Sequence, residues 1–92
     1  MKLLRLSPDA AADLEHIVSH IEQDRPEAAR RVAETILQRL DTLTAFPEIG
    51  RPGRLQGTRE LVITGLPFLA VYRVTADAVE IGRILHGRQR WP

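Results

Sequence analysis

The 92-residue sequence contains no cysteine, so neither a disulfide nor a thiolate metal site can support its fold. Lysine occurs once, at position 2, and aromatic residues make up only 4% of the chain. The longest apolar run, residues 66–72, ends at Arg73 and is far shorter than the ~20 residues of a membrane span. Because Arg5 also interrupts the apolar start of the chain, we expect no signal peptide and a cytoplasmic protein.

The charged residues are distributed unevenly, although the formal net charge is only +1. Residues 1–46 carry six basic and eight acidic groups, a net −2, whereas residues 47–92 carry seven basic and four acidic groups, a net +3. Twelve of the 13 basic residues are arginine, whose planar guanidinium suits phosphate and carboxylate partners, although codon preference is an alternative explanation. The length and the 43% hydrophobic content predict a single globular domain, residues 1–92.

The start of the chain predicts a short strand followed by a helix. Residues 2–6 are the strand candidate, and Ser7 then provides an N-cap in front of a proline. The apolar residues of this helix recur at helical spacing on one face: Ala10, Leu14, Ile17, Val18 and Ile21. We expect Asp13, His16 and His20 on the opposite, polar side. The two histidines are four residues apart, but nothing around them completes a zinc motif, so exposed histidines and no metal site are predicted.

A second helix is expected from Asp24, where aspartate with Glu27 three residues on resembles a capping box. It should end near Thr44, before a phenylalanine–proline pair. Its apolar stripe is wide: Ala29, Val32, Ala33, Ile36, Leu37, Leu40 and Leu43. Two amphipathic helices joined this tightly predict an antiparallel helical hairpin.

Residues 46–57 form the one long loop, and its glycines and prolines argue against regular structure. We expect Phe46 and Ile49 to pack beneath the end of the second helix, and Arg51 and Arg54 to stand beside the sheet. The loop matches neither a phosphate-binding P-loop nor a dinucleotide fingerprint. The sequence therefore predicts no cofactor.

Three runs in the last third are rich in β-branched and aromatic residues and are separated by turn residues: 59–63, 68–74 and 78–86. With the strand at 2–6 they predict an α+β fold in the order β-α-α-β-β-β, in which the helical hairpin packs on one face of a four-stranded, mainly antiparallel sheet. Tyr72 is expected in the core. Arg59, Arg73 and Arg83 recur inside the strands, which predicts that the other face is wet, basic and open to a partner.

The helical hairpin and four segments that follow it, in this order, resemble the RelE/ParE superfamily, the toxins of type II toxin–antitoxin systems, also called the plasmid stabilisation family. The segments are residues 46–51, 57–61, 71–74 and 81–92, and the last of them is the strongest. The resemblance implies the same fold. It also implies a cytoplasmic toxin that arrests growth, with an antitoxin protein, encoded beside it, as the partner in a heteromeric complex.

The resemblance leaves three functions open. ParE-like members poison DNA gyrase, whereas RelE-like members cut messenger RNA in the ribosomal A site. We favour the ParE-like function, because the lysines of RelE-like active sites and their tyrosine after the last strand have no counterpart here. The third alternative is an inactive remnant that only binds its antitoxin.

Under the ribonuclease alternative, which is metal-independent, the resemblance implies that Arg59 and Arg83 hold the phosphate and that His86 serves as the acid–base residue. Glu48 or Glu60 is a possible base. Arg83 and His86 are three residues apart, which puts them on opposite faces of a regular strand unless the strand ends or bulges near position 84 or 85.

The candidates for contact with the target or with nucleic acid are the arginines of the second half: Arg51, Arg54, Arg59, Arg73, Arg83, Arg88 and Arg90. The antitoxin is expected to lay apolar anchors against the helical hairpin and acidic groups near Arg59 and Arg83. Trp91 is expected either to fold back onto a core edge or to stack on a base.

Overall fold

A computed structural model describes residues 1–89 of the chain. Two helices lie between the first strand and four later strands. The elements are β1 (Leu3–Leu6), α1 (Pro8–Glu22), α2 (Pro26–Ala45), β2 (Arg51–Pro52), β3 (Arg59–Val62), β4 (Phe68–Val74) and β5 (Ala78–His86). Neither helix in the described part of the chain is long and apolar enough to cross a membrane.

Within residues 1–89 the sheet has five strands in the order β1-β5-β4-β3-β2, not the four predicted from the sequence. The extra strand is the two-residue β2, which lies in the loop where no regular structure was expected. It pairs antiparallel with β3 at the edge of the sheet, with Arg51 opposite Glu60. Pro52 is tolerated there because an edge strand does not need every N–H group. The sheet is mixed, since β1 runs parallel to β5 while the remaining pairs are antiparallel.

The helix starts differ from each other in how they are capped. Ser7 caps α1 as predicted, because its Oγ accepts a hydrogen bond from the Ala10 N–H at 3.0 Å. The prediction that Asp24 caps α2 was wrong, since Arg25 occupies the N-cap position and makes no side-chain cap. The Asp24 N–H instead donates to the Ile21 carbonyl at 3.2 Å. Asp24 therefore belongs to the turn that closes α1.

The core lies between the helical hairpin and one face of the sheet, as predicted. Ile36 and Leu40 of α2 are fully buried against Ile81 of β5 and against Tyr72, which also lies in the core as expected. Residues that alternate with these core positions, such as Arg73 and Glu80, point to the opposite side, which we call the open face.

The loop after α2 departs from the expected packing. Phe46 is 63% exposed and Ile49 is 48% exposed, so the prediction that they tuck beneath the helix was wrong. The reason lies in the backbone of this loop, whose carbonyl groups point inward. Side chains of β3 and β4 donate hydrogen bonds to these carbonyls, and the apolar side chains consequently turn outward.

Candidate functional site

Arg83 is held in an ion pair with a helix. Its Nε lies 2.7 Å from Asp13 Oδ2 and its Nη2 lies 3.0 Å from Asp13 Oδ1, which is a bidentate arrangement. The same carboxylate accepts the Ile84 N–H at 2.9 Å. This contact arises because β1 ends opposite Ile81, so that α1 rather than a strand borders the rest of β5.

The environment of Arg83 favours the charged form of its guanidinium. The hydrogen bonds that Arg83 donates to the Asp13 carboxylate raise the pKa of the guanidinium above its ordinary value, outweighing the opposing effect of burial. A phosphate or carboxylate that binds Arg83 must therefore compete with the Asp13 carboxylate.

Arg59 is directed toward the loop after α2. Its Nη1 donates to the Gly50 carbonyl at 2.8 Å and to the Glu48 carbonyl at 3.2 Å. In the sheet it lies opposite Tyr72, on the same side as the core. Arg59 therefore supports the backbone of the loop, and it does not share the open face with Arg73.

His86 lies exposed at the end of β5. Its ring meets Phe68 edge-on, with ring centroids 5.9 Å apart, and its Nδ1 accepts the Arg88 N–H at 3.1 Å. Arg83 is opposite Val71 and His86 is opposite Phe68, so the two lie on opposite faces of β5. The sheet does contain a bulge, but it falls beside Gly82, before Arg83, and it does not bring the two side chains together.

Three of the remaining predicted target contacts, Arg51, Arg54 and Arg73, lie around the loop that contains β2, whereas Arg88 follows β5. Glu60, which is 4% exposed, accepts Arg51 Nη2 at 3.1 Å and the backbone N–H of Arg54 at 3.2 Å. Arg73 Nη1 donates to the Gln56 carbonyl at 3.3 Å. These contacts hold the loop against the sheet, so Glu60 acts here as a structural acceptor. Arg90 and Trp91 lie outside the described residues.

Tyr72 fastens the loop from within the core. Its hydroxyl donates to the Pro47 carbonyl at 2.7 Å and accepts the Gly50 N–H at 2.9 Å. A Cβ at Gly50 would lie 2.5 Å from that hydroxyl, so only glycine fits there. Burial raises the pKa of Tyr72 above its ordinary value. The sequence predicted the buried ring but gave no signal for these hydrogen bonds.

The open face carries a cleft of about 580 Å³ that the sequence did not predict. It lies between the end of β1, the loop before β3, and the centres of β4 and β5. Arg5 and Arg73 flank Glu80 in one cross-strand row along it. Once the register is known, the alternation of residues along each strand places these three side chains together.

The histidines of α1 are exposed, as predicted from its polar face. Asp13, which was assigned to the same polar side, is instead half-buried between α1 and β5. Within residues 1–89 there is no group of three or more side chains that could hold a metal ion.

Comparison with known proteins decides the family. The family described as "ParE toxin of type II toxin-antitoxin system, parDE" matches residues 4–91. The chain belongs to this ParE toxin family. The resemblance to the RelE/ParE superfamily is thereby confirmed, and the chain is the toxin of a type II system.

Similar proteins include toxins with RelE names and a chain of a solved ParDE system. This toxin is 42% identical over 91 residues to the Sinorhizobium fredii protein "Putative toxin Y4kP", covering 99% of this chain and 94% of the relative. It is 35% identical over 92 residues to "Toxin RelE3" of Caulobacter vibrioides, covering 98% and 99% of the two chains. A chain in a solved chromosomal ParDE system from P. aeruginosa superposes with a TM-score of 0.85 at 32% identity, covering 94% of this toxin and 96% of that chain.

Proposed function

We propose that this toxin arrests growth by binding and inhibiting DNA gyrase, and that it is not a ribonuclease. The observation that carries the proposal is the separation of the candidate catalytic side chains. Arg59 is turned to the loop carbonyls, Arg83 is paired with Asp13, and His86 lies on the other face of β5 from Arg83. Metal-independent RNA cleavage needs a base, an acid and a cation around one phosphate. Among residues 1–89 these three candidates do not provide that arrangement.

The similarity to ParE proteins adds support. The family match and the P. aeruginosa ParDE chain both cover more than nine-tenths of this sequence. The name of the Caulobacter relative, "Toxin RelE3", favours the ribonuclease function as the second candidate. The two candidates differ in kind, since one is an inhibitory binding protein and the other is an enzyme.

The proposal includes an antitoxin protein as the partner and the cytoplasm as the location. The similar solved structures include toxin–antitoxin systems, among them the ParDE system from P. aeruginosa. Gyrase and translating ribosomes are both cytoplasmic targets, so either function requires the toxin there.

The test compares the two targets with purified components. We expect the toxin to inhibit supercoiling of a relaxed plasmid by gyrase and to leave messenger RNA on programmed ribosomes intact. His86→Ala should inhibit gyrase as well as the parent does. Cleavage of the messenger RNA by the parent, relieved by His86→Ala, would instead assign the ribonuclease function.

Induction in a bacterial host gives an independent readout. Filamentation and DNA-damage signalling with intact transcripts are expected for a gyrase inhibitor. Rapid loss of transcripts and arrest of translation would contradict the proposal. Continued growth with soluble, folded toxin would indicate a remnant that only binds its antitoxin.

A further inference from the structure

The cleft on the open face has a floor without a side chain at its centre. Gly82 is the extra residue of the bulge in β5, and it lies exposed in the cleft. Val71 and Leu55 contribute apolar lining to the same cleft. The result is a concave, partly apolar cleft whose volume of about 580 Å³ falls within the ~300–1,000 Å³ range of ligand-binding clefts.

The absence of a side chain at position 82 is not required by the backbone. A Cβ built there would lie 3.6 Å from the Val71 carbonyl oxygen, which is ordinary van der Waals contact. The φ angle of Gly82 is also outside the left-handed region, unlike those of Gly57 and Gly65. The fold therefore tolerates a larger residue at position 82, and a glycine leaves the cleft open.

The charges around the cleft are arranged in two groups. At one end, Arg5 and Arg73 flank a single carboxylate, Glu80, so this row carries one uncompensated positive charge. At the other end, Asp9 lies near the Arg83–Asp13 pair and adds negative charge. A ligand that complements the Arg5–Arg73 end is acidic at that row, and it is apolar where it crosses the centre of the cleft, away from Asp9.

We propose that the cleft receives an apolar side chain of the antitoxin, seated over Gly82, with a neighbouring acidic residue of the antitoxin at Arg5 and Arg73. The inference rests on the antitoxin partner proposed above. It moves the expected acidic contacts away from Arg59 and Arg83, which the toxin already engages with its own carbonyl and carboxylate groups. A peptide segment that orders on binding suits such a cleft, since its side chains can enter a concavity that a flat protein surface cannot reach.

The first test fills the cleft with a larger side chain at position 82. Gly82→Leu places a branched side chain where the antitoxin side chain would lie. Gly87→Leu is the matched control, because Gly87 is also exposed, a Cβ there would lie 3.5 Å from the Pro67 carbonyl, and it does not line the cleft. The probe is the antitoxin defined as the neighbouring gene product whose co-expression relieves growth arrest or that co-purifies with the toxin.

We expect Gly82→Leu to weaken antitoxin binding in calorimetry by about tenfold or more, as for a blocked central contact. Gly87→Leu should bind within about twofold of the parent, as expected for a site outside the interface. Both variants should inhibit gyrase like the parent, so a failure of the gyrase proposal is seen separately. Parental affinity in folded Gly82→Leu overturns the inference. Loss of gyrase inhibition with retained antitoxin binding also overturns it, because the cleft would then serve the target.

A second pair of variants keeps the inference testable if Gly82→Leu fails to fold. Arg5→Gln removes one cation from the row, and Arg30→Gln removes a cation that is also exposed, on α2. Arg5→Gln should weaken antitoxin binding several-fold and reduce its dependence on salt concentration, whereas Arg30→Gln should change neither. Equal behaviour of the two variants overturns the acidic contact at Arg5 and Arg73.

Discussion

The hydroxyl of Tyr72 joins the core to the loop after α2, and a single substitution tests how much that contact stabilises the fold. Tyr72→Phe keeps the buried ring but leaves the Pro47 carbonyl and the Gly50 N–H without this partner. We expect a loss of about 1–3 kcal/mol in the free energy of unfolding, the usual effect of a buried polar group left unpaired. Urea denaturation measures it, with Thr64→Ala, which removes an exposed hydroxyl, as the control. Equal stability of Tyr72→Phe and the parent would show that water replaces the hydroxyl.

The same residue predicts an alkaline limit of stability. Burial raises the pKa of Tyr72 in the folded state above the ordinary value of 10.0, so the folded protein holds this proton more tightly than the unfolded chain. Its contribution to stability is complete below the unfolded pKa and is lost as pH rises through the folded pKa. The urea midpoint should therefore decrease more for the parent than for Tyr72→Phe when the pH is raised from 8 to above 10. Parallel slopes would contradict this assignment.

Sequence reasoning succeeded for the ring of Tyr72 and failed for its surroundings. A tyrosine in the middle of an apolar strand is expected in the core, and it lies there. Its partners Pro47 and Gly50 are 25 and 22 residues away, in a loop whose path depends on tertiary contacts. For the same reason Phe46 and Ile49 were placed inside, since their apolar character was visible but the inward-facing carbonyls were not.

At the scale of elements, Asp13 connects α1 to the half of β5 that β1 does not cover. Asp13→Ala removes acceptors for both Arg83 and the Ile84 N–H, so we expect a loss of about 1–3 kcal/mol in unfolding free energy, allowing for partial solvent exposure. Asp13→Asn should lose less, because its amide oxygen can still accept the Ile84 N–H. Thermal unfolding compares both with Glu15→Ala, an exposed acid of the same helix. If Asp13→Ala lowers the stability no more than Glu15→Ala does, Asp13 does not stabilise the contact between α1 and β5.

Asp13→Asn also tests the sequence-based role of Arg83. If Arg83 contacts phosphate, removing the competing carboxylate charge should strengthen binding of the toxin to an RNA oligonucleotide. If Arg83 makes no phosphate contact, RNA binding should change no more for Asp13→Asn than for Glu15→Gln, which removes the same charge from an exposed position of the same helix. Fluorescence anisotropy with labelled RNA distinguishes the two results.

The elements themselves were largely predictable, whereas the contacts between them were not. Both helices and the three later strands lie where periodicity and turn residues placed them, and Ser7 caps α1 as expected. Asp13 was assigned to the polar side of α1 because it is not apolar. It lies instead next to the core stripe, where it accepts a hydrogen bond from Arg83 of β5, 70 residues later in the sequence. The two-residue β2 has too few residues to show any periodicity.

For the whole molecule, counting charges along the chain described its surface only in part. The second half of the chain carries most of the arginines, and these were expected to make the open face basic. In the sheet, however, Glu80 lies between Arg5 and Arg73, and Arg83 is paired with Asp13 from the first half. The basic character is therefore local to one row of the cleft, since the fold sets acids from distant segments beside the arginines.

The first strand, β1, forms one edge of the sheet and pairs parallel with the last strand, β5. Lys2 ties this strand in place through Nζ, which donates to the Thr75 and Ala76 carbonyls at 2.6 and 2.8 Å. Leu4 and Leu6 pack against the core. We expect deletion of residues 1–6 to abolish the cooperative thermal transition, because the loss of a strand and two core side chains approaches the ~5 kcal/mol stability of a small domain. Leu3→Ala, at an exposed position of the same strand, should melt like the parent. A truncated chain that retains the parental transition would show that β2 to β5 and the hairpin form a stable core without β1.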